Sequence, residues 1–172
     1  ETYGYEQFRN LEIYDDLSKG KEKLCISQGQ LIENVILEAE KAWKGETQVD
    51  NILLTAPTGS GKSLLFQLPA IYLGKEYNLL TIVVSPLKAL IVDQVESLQE
   101  LGYMRVAYAS SDLSPEQKME VYRQVREGGI DLFYLSPELL LSYDIKHFVG
   151  ERRIGLVVVD EAHTVTTWGK EF

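Results

Sequence analysis

The chain has 172 residues and a formal net charge of −9, with 45% hydrophobic and 25% charged residues. This length suits about one domain, and the composition is that of a globular protein rather than a disordered one. The acidic balance excludes a simple basic module that coats nucleic acid, although it leaves room for a local basic groove. The single cysteine, Cys25, excludes an internal disulfide and indicates a reducing compartment. No apolar run reaches the roughly 20 residues that span a bilayer.

The first part of the chain differs in pattern from the rest. Residues 1–23 are polar and rich in tyrosine, so we predict a peripheral arm followed by a turn. Residues 28–44 carry apolar side chains at helical spacing, which predicts an amphipathic helix. From residue 51 onward, apolar β-rich runs alternate with helical segments. The predicted strands are 51–55, 79–84, 105–109, 130–135 and 155–159, and the predicted helices are 62–73, 88–102, 114–128 and 137–141.

This alternation predicts an α/β fold with a parallel sheet. The predicted strands are near-continuous apolar runs, which is typical of strands that are buried on both faces. In such sheets, ligands bind beyond the carboxyl ends of the strands. The residues that follow each strand are therefore the candidates for function.

A glycine-rich loop, Ala-Pro-Thr-Gly-Ser-Gly-Lys-Ser at 56–63, follows the first predicted strand. It matches the phosphate-loop pattern with Ala in place of the first Gly, and the strand before it and the helix after it favour that interpretation over a plain turn. Glycine lets the backbone curl so that its N–H groups point at phosphate oxygens, and the following helix adds its positive end. Lys62 would reach the β- and γ-phosphates, and Ser63 would ligate Mg²⁺. The predicted nucleotide-binding residues are Thr58, Gly59, Ser60, Gly61, Lys62 and Ser63.

An acidic box, Asp-Glu-Ala-His at 160–163, follows the last predicted strand. Asp160 would hold Mg²⁺, directly or through water, and Glu161 would orient and deprotonate the attacking water. His163 lies two residues after Glu161, which favours a role near the γ-phosphate. A surface acidic turn that opens a helix is the alternative. Because the box follows a valine-rich strand downstream of a phosphate loop, we predict ATP hydrolysis with Lys62, Asp160, Glu161 and His163 as catalytic residues.

Taken together, the motifs resemble the RecQ family of superfamily 2 DNA helicases, with a signature of the DEAH type. The resemblance runs from about residue 51 to 172 and includes Leu-Leu-Phe-Gln-Leu-Pro-Ala at 64–70 and Val-Val-Ser-Pro-Leu-Lys-Ala-Leu at 83–90. It also includes Leu-Ser-Pro-Glu at 135–138 and Thr-Thr-Trp-Gly-Lys-Glu-Phe at 166–172. Generic DEAD- and DEAH-box RNA helicases lack that last element, so it discriminates between the families.

The resemblance implies a three-layer, parallel-sheet P-loop NTPase fold, namely the first RecA-like motor domain of a helicase. We expect a peripheral arm at 1–23 and a partial RecA-like ATP-binding domain at 24–172, incomplete at its C-terminus. The chain starts without Met and stops inside an aromatic-rich loop, so we expect it to be a piece of a longer protein. A further strand and a second RecA-like domain of the same polypeptide would complete the motor. We expect the piece alone neither to hydrolyse ATP well nor to unwind DNA.

The resemblance also implies an ATP-dependent DNA helicase that moves 3′-to-5′ on single-stranded DNA and unwinds duplexes, with ATP and Mg²⁺ as cofactors. It implies a role in DNA repair and recombination, in the bacterial cytoplasm at the nucleoid or in a eukaryotic nucleus, and no membrane partner. The DNA-binding residues that it implies are Ser85, Pro86, Lys88, Ser136, Glu138, Trp168 and Phe172. Two alternatives remain open: another superfamily 2 motor, such as an RNA helicase or a defence-system translocase, and a non-catalytic ATP-binding module.

Two positions depart from the RecQ pattern. Lys170 follows Trp-Gly where the family has histidine. The family also reads adenine with a glutamine ahead of the phosphate loop, but Glu12 stands where the motif near the start of this chain would place it. A second pair of glutamines precedes the predicted helix 28–44. We choose Gln30, and then Gln28, as the adenine contact.

Overall fold

The computed structural model describes residues 7–14, 23–55 and 59–161. The chain forms two compact units, Tyr3–Pro69 and Ala70–Phe172. The division falls within a helix, α2, so this helix contributes residues to both units. None of the helices in the described part of the chain is long and apolar enough to cross a membrane.

The first unit is built on a β-hairpin and one long helix. Strands β1 (Asn10–Tyr14) and β2 (Lys23–Ser27) pair antiparallel, and α1 (Gln28–Lys44) follows β2 without a break. Helix α2 (Leu64–Tyr77) begins in this unit. The helix α1 matches the predicted span 28–44. A small core, to which all of these elements contribute, contains Leu11, Ile32 and Leu65, with Ile26, Leu31, Ile36, Leu54, Leu64 and Leu68 packed against it.

The structure differs from the sequence-based expectations for this unit in two places. The segment 1–23, predicted as a peripheral arm followed by a turn, contains β1, which pairs with β2; its short Leu-Glu-Ile alternation lies among polar residues. We predicted a strand at 51–55, but these residues form none, and Leu53 is 83% exposed. A strand exists only if a neighbour satisfies its backbone groups, and no described strand pairs with these residues. The domain boundary between 23 and 24 stays a prediction.

The second unit contains a four-stranded parallel sheet in the order β4-β5-β3-β6. Its strands are β3 (Leu80–Val84), β4 (Val106–Ala109), β5 (Leu132–Leu135) and β6 (Ile154–Val159). Its helices are the end of α2, then α3 (Lys88–Glu100), α4 (Pro115–Arg126), α5 (Pro137–Ser142) and α6 (Ile145–Val149). The predicted α/β class with a parallel sheet is confirmed.

Burial differs between the central strands and the edge strand. Every residue of β3 and β5 is buried, as the continuous apolar runs predict. Strand β6 lies at the edge of the described sheet and alternates, so that Val157 is 59% and Val159 is 45% exposed. The core beside this sheet contains Leu80, Ile82, Val84, Ala109, Tyr122, Val125, Ile130, Phe133, Leu135, Leu139, Phe148 and Val149.

A buried ion-pair network ties the amino end of the sheet together. The carboxylate of Asp131, which is 1% exposed, accepts hydrogen bonds from Arg105 Nε at 2.6 Å and from Arg152 Nη2 at 3.0 Å. Tyr103 donates its hydroxyl to the same carboxylate at 3.1 Å. Helix α2 passes so close that a Cβ added to Gly74 would lie 2.4 Å from Asp131 Cγ. The charge of Asp131 is therefore neutralised by two guanidinium groups and enclosed by backbone.

Candidate nucleotide and nucleic-acid site

The described part of the phosphate loop has the backbone that the glycine pattern predicts. Gly59 and Gly61 adopt φ angles of 79° and 81°, in the left-handed region that disfavours other residues. The chain then turns through Lys62 and Ser63 into α2, with Leu64 N donating to Gly61 O at 3.2 Å. Both residues thus lie at the amino end of a 14-residue helix, where backbone N–H groups and the helix dipole favour an anion.

The two candidate glutamines at the start of α1 occupy different environments. Gln30 is exposed, and its Oε1 accepts from Ser27 N at 3.1 Å in a capping box. Gln28 is 3% exposed and donates from Nε2 to Ser60 O at 3.2 Å. Gln28 therefore contacts the phosphate loop directly, whereas Gln30 caps its own helix. The adenine contact stays a prediction for Gln30.

In the second unit, the carboxyl ends of three adjacent strands finish in register. Val84 of β3 pairs with Leu135 of β5 on one side and with Val159 of β6 on the other. The next residue of each strand is Ser85, Ser136 and Asp160, respectively. Backbone bonds continue the ladder, since Ser85 N donates to Leu135 O at 3.1 Å and Asp160 N donates to Val84 O at 2.9 Å. The structure thus brings these three predicted site residues together along one edge.

The acidic box opens with an unusual backbone conformation. Glu161 adopts φ 53°, which is uncommon for a residue other than glycine, and its N–H donates to Asp160 Oδ1 at 3.0 Å. Such conformations cost of order 1–3 kcal/mol and cluster at functional sites.

The predicted DNA-binding residues that can be placed surround the same edge. The hydroxyls of Ser85 and Ser136 are buried, and neither has a hydrogen-bond partner in the described part of the chain. Lys88 is the first residue of α3, whose N-cap residue makes no side-chain cap bond. Pro86 is half-buried before α3, and Glu138 is exposed in the first turn of α5. The remaining predicted residues lie outside the described residues: Thr58, His163, Trp168 and Phe172.

One contact of Lys88 was not predicted from the sequence. Its Nζ donates to Ser111 Oγ at 2.6 Å and to Asp112 Oδ1 at 2.9 Å, in the loop that follows β4. The Lys88 ammonium holds the pKa of the Asp112 carboxyl below its usual value. The loop after β4 lies at the carboxyl end of a parallel strand, and this position was the signal that could have pointed to it.

Comparison with known proteins identifies the family. Residues 30–172 match the family described as DEAD/DEAH box helicase. The chain belongs to this family. It is 38% identical over 122 residues to the ATP-dependent DNA helicase RecQ of Bacillus subtilis and 42% identical over 122 residues to that of Synechocystis. It is 32% identical over 171 residues to the RecQ helicase of Haemophilus influenzae, which confirms the resemblance to the RecQ family.

These matches cover most of the chain but little of each relative. The alignments include 71%, 70% and 99% of the chain, and they span 20%, 24% and 22% of the three relatives. A solved structure, that of a hypothetical ATP-dependent RNA helicase from Sulfolobus tokodaii, superposes with a TM-score of 0.55 at 21% identity. It covers 83% of the chain and 38% of the neighbour. This likeness supports the RecA-like helicase fold.

Proposed function

We propose that the chain is the first motor domain of a RecQ-type, ATP-dependent DNA helicase. In this proposal the complete protein hydrolyses Mg-ATP, moves 3′-to-5′ along single-stranded DNA and unwinds duplexes, with a second RecA-like domain in the same polypeptide. Relatives from a bacterium, a plant and a fungus are named as ATP-dependent DNA helicases, and these names support DNA as the substrate. A role in repair and recombination in the cytoplasm or nucleus would follow from that substrate.

The observation that carries this proposal is that the carboxyl ends of β3, β5 and β6 finish in register. This register sets Asp160, the predicted magnesium ligand, in one row with Ser85 and Ser136 of the predicted DNA track. A motor must transmit the state of a nucleotide to a nucleic acid, and residues that end neighbouring strands of one sheet can do so through short movements. The buried hydroxyls of the two serines have no hydrogen-bond partner among the described residues, and a ligand that supplied one would offset the cost of about 1–3 kcal/mol that an unsatisfied buried polar group carries.

The nucleotide would be bound through its phosphates. Backbone N–H groups of the loop at Gly59 and Gly61 and the amino end of α2 would cradle them, and the ammonium of Lys62 would neutralise their charge. The Ser63 hydroxyl and the Asp160 carboxylate are oxygen donors of the kind that Mg²⁺ prefers, so the residues fit this ion. Bound Mg²⁺ would neutralise charge on the β- and γ-phosphates. Glu161 would accept a proton from the attacking water.

The decisive experiment measures ATP hydrolysis by the full-length protein with no nucleic acid, with single-stranded DNA and with RNA. We expect strong stimulation by DNA and little by RNA. Equal stimulation by RNA would instead support an RNA helicase. No hydrolysis under any condition would contradict the proposal and support a non-catalytic ATP-binding module.

A charge substitution tests the DNA track at Lys88. Asp112→Asn removes the carboxylate that neutralises the Lys88 ammonium, so that this ammonium becomes available to a DNA phosphate. We expect single-stranded DNA to bind about two- to fivefold more tightly at low salt, as for one exposed ion pair. The plot of log affinity against log salt concentration is expected to steepen by about 0.7, since one more counterion site is released.

The matched control is Glu100→Gln, which removes one negative charge from the far end of the same helix. It should leave both the affinity and the salt slope close to those of the wild type. Equal tightening by the two variants would show an effect of net charge alone and would contradict a local role of Asp112. Lys88→Ala should weaken binding and make the slope shallower.

A further inference from the structure

We infer that Gln28 is a positioning residue for the phosphate loop, acting through the peptide group between Ser60 and Gly61. The inference rests on the proposed nucleotide site. It assigns to Gln28 a role that is independent of the base, in contrast to the adenine contact predicted for Gln30.

Three hydrogen bonds fix the position of Gln28. Its backbone N–H donates to Arg9 O at 2.9 Å, and its side-chain Oε1 accepts from Arg9 N at 3.1 Å. Its Nε2 donates to Ser60 O at 3.2 Å. Because a backbone N–H can only donate and a carbonyl can only accept, the orientation of the amide is determined by its partners. One buried side chain thus joins the residue before β1 to the phosphate loop.

The contact with Ser60 O sets the direction of the next N–H group. In a trans peptide the C=O and N–H point in opposite directions, and ω is nearly fixed. With the Ser60 carbonyl held toward Gln28, the Gly61 N–H points away from α1. Phosphate loops bind anions through such N–H groups, so a peptide that is free to flip would present its carbonyl oxygen to a phosphate for part of the time. The hydrogen bond from Gln28 to Ser60 O prevents this flip.

The local packing fits this role. A Cβ on residue 61 would lie 2.6 Å from Gln28 Nε2, so only glycine allows the approach. Gly61 also has a φ of 81°. The glycine is therefore needed both for its backbone conformation and for the space that Gln28 occupies. A side chain that reads a base must present its polar edge to the ligand, whereas Gln28 is 3% exposed and uses both ends of its amide within the protein.

The test compares three ligands that share phosphates but differ in the base. ATP, GTP and inorganic tripolyphosphate are each titrated in Mg²⁺ against the full-length protein by displacement of a fluorescent nucleotide. We expect Gln28→Ala to lower the affinity for all three ligands by the same factor, about three- to tenfold, as for one lost hydrogen bond. Gln28→Glu keeps the acceptor for Arg9 N but sets a carboxylate against the Ser60 carbonyl. The affinity for each ligand should therefore fall by at least as large a factor as in Gln28→Ala.

Two further variants separate this role from others. Gln48→Ala, an exposed glutamine of the same unit, is the neutral control. Gln30→Ala is expected to change the ratio of ATP to GTP affinity and to leave tripolyphosphate binding unaltered. Single-stranded DNA binding without nucleotide should be the same in the wild type and both Gln28 variants, which a general loss of folded protein would not allow. If Gln28→Ala fails to fold, Gln28→Met carries the test, because it keeps the volume of the buried side chain and adds no charge while removing the donor to Ser60.

Several outcomes would overturn the inference. If Gln28→Ala weakens ATP alone, then Gln28 reads the base. If it changes none of the three affinities, the contact with Ser60 has no part in binding. Failure of the underlying proposal gives a different result, since the wild type would then bind none of the three ligands, or would bind them equally well after Lys62→Ala.

Discussion

ATP hydrolysis by the full-length protein is expected to fall about 10²–10³-fold when Lys62 is replaced with alanine, the size of effect typical of losing one preorganised electrostatic contact to a transition state. Lys62 follows two glycines with left-handed backbone, and only Ser63 separates it from α2. In the proposed site its ammonium is the mobile positive charge that can follow the γ-phosphate as the bond to it breaks. Backbone N–H groups are fixed and cannot replace it.

A second variant distinguishes nucleotide binding from the chemical step, when nucleotide affinity is measured beside the rate of hydrolysis. Glu161→Gln keeps the size of the side chain but removes the group that would accept a proton from water, so nucleotide should still bind while turnover is lost. Lys62→Ala should lower both the affinity for nucleotide and the turnover. Lys75→Ala, an exposed lysine in the last turn of the same helix, is the matched control and should leave the rate unchanged. Wild-type turnover in Lys62→Ala would contradict the assignment of the phosphate loop.

The elements that local pattern determines were predicted well. Helix α1 has an apolar stripe and a capping box, and α4 has a serine cap followed by proline, so both begin where the sequence indicates. Strands β3 and β5 have apolar runs that only a doubly covered sheet can bury. Strand β1 was not predicted, and the strand predicted at 51–55 is not formed, for the same reason: a strand depends on a neighbour that its own sequence does not contain.

The candidate site shows the same division. The sheet edge with Ser85, Ser136 and Asp160 could be expected, because parallel strands bring their carboxyl ends together. The bond of Gln28 to Ser60 and the pair of Lys88 with Asp112 could not, since they join residues 32 and 24 positions apart. Such contacts leave no periodic trace in a single sequence. They depend on the angle at which packed elements meet.

The second large effect concerns stability. Asp131→Ala is expected to destabilise the second unit by about 3–5 kcal/mol, because breaking a buried ion pair leaves an uncompensated charge. Arg152 is the charge in question: its side chain is 5% exposed, and burial lowers the pKa of its guanidinium while the bond to Asp131 opposes that shift. Arg105 is half exposed, and its hydrogen bond to Asp131 raises its pKa. Both guanidiniums stay charged at every pH at which the protein folds, so Arg152 cannot escape the cost by losing a proton.

Thermal unfolding measures this effect, and the transition of the second unit, which has about 100 residues, should move down by roughly 12–40 °C. Gly74→Ala offers an independent approach from the other side of the contact, since its new Cβ would displace the Asp131 carboxylate. Alanine favours a helix over glycine by about 1 kcal/mol, so a lower transition temperature in this variant would isolate the clash. Glu151→Ala removes an exposed carboxylate next to Arg152 in sequence and should change the transition temperature little.

A transition within 2 °C of the wild type in Asp131→Ala would show that water or neighbouring dipoles can replace the carboxylate. Because Asp131 precedes β5 and Ser136 follows it, ATP hydrolysis well below the transition should be unaffected, which separates the role of this network in folding from the chemistry at the opposite edge of the sheet.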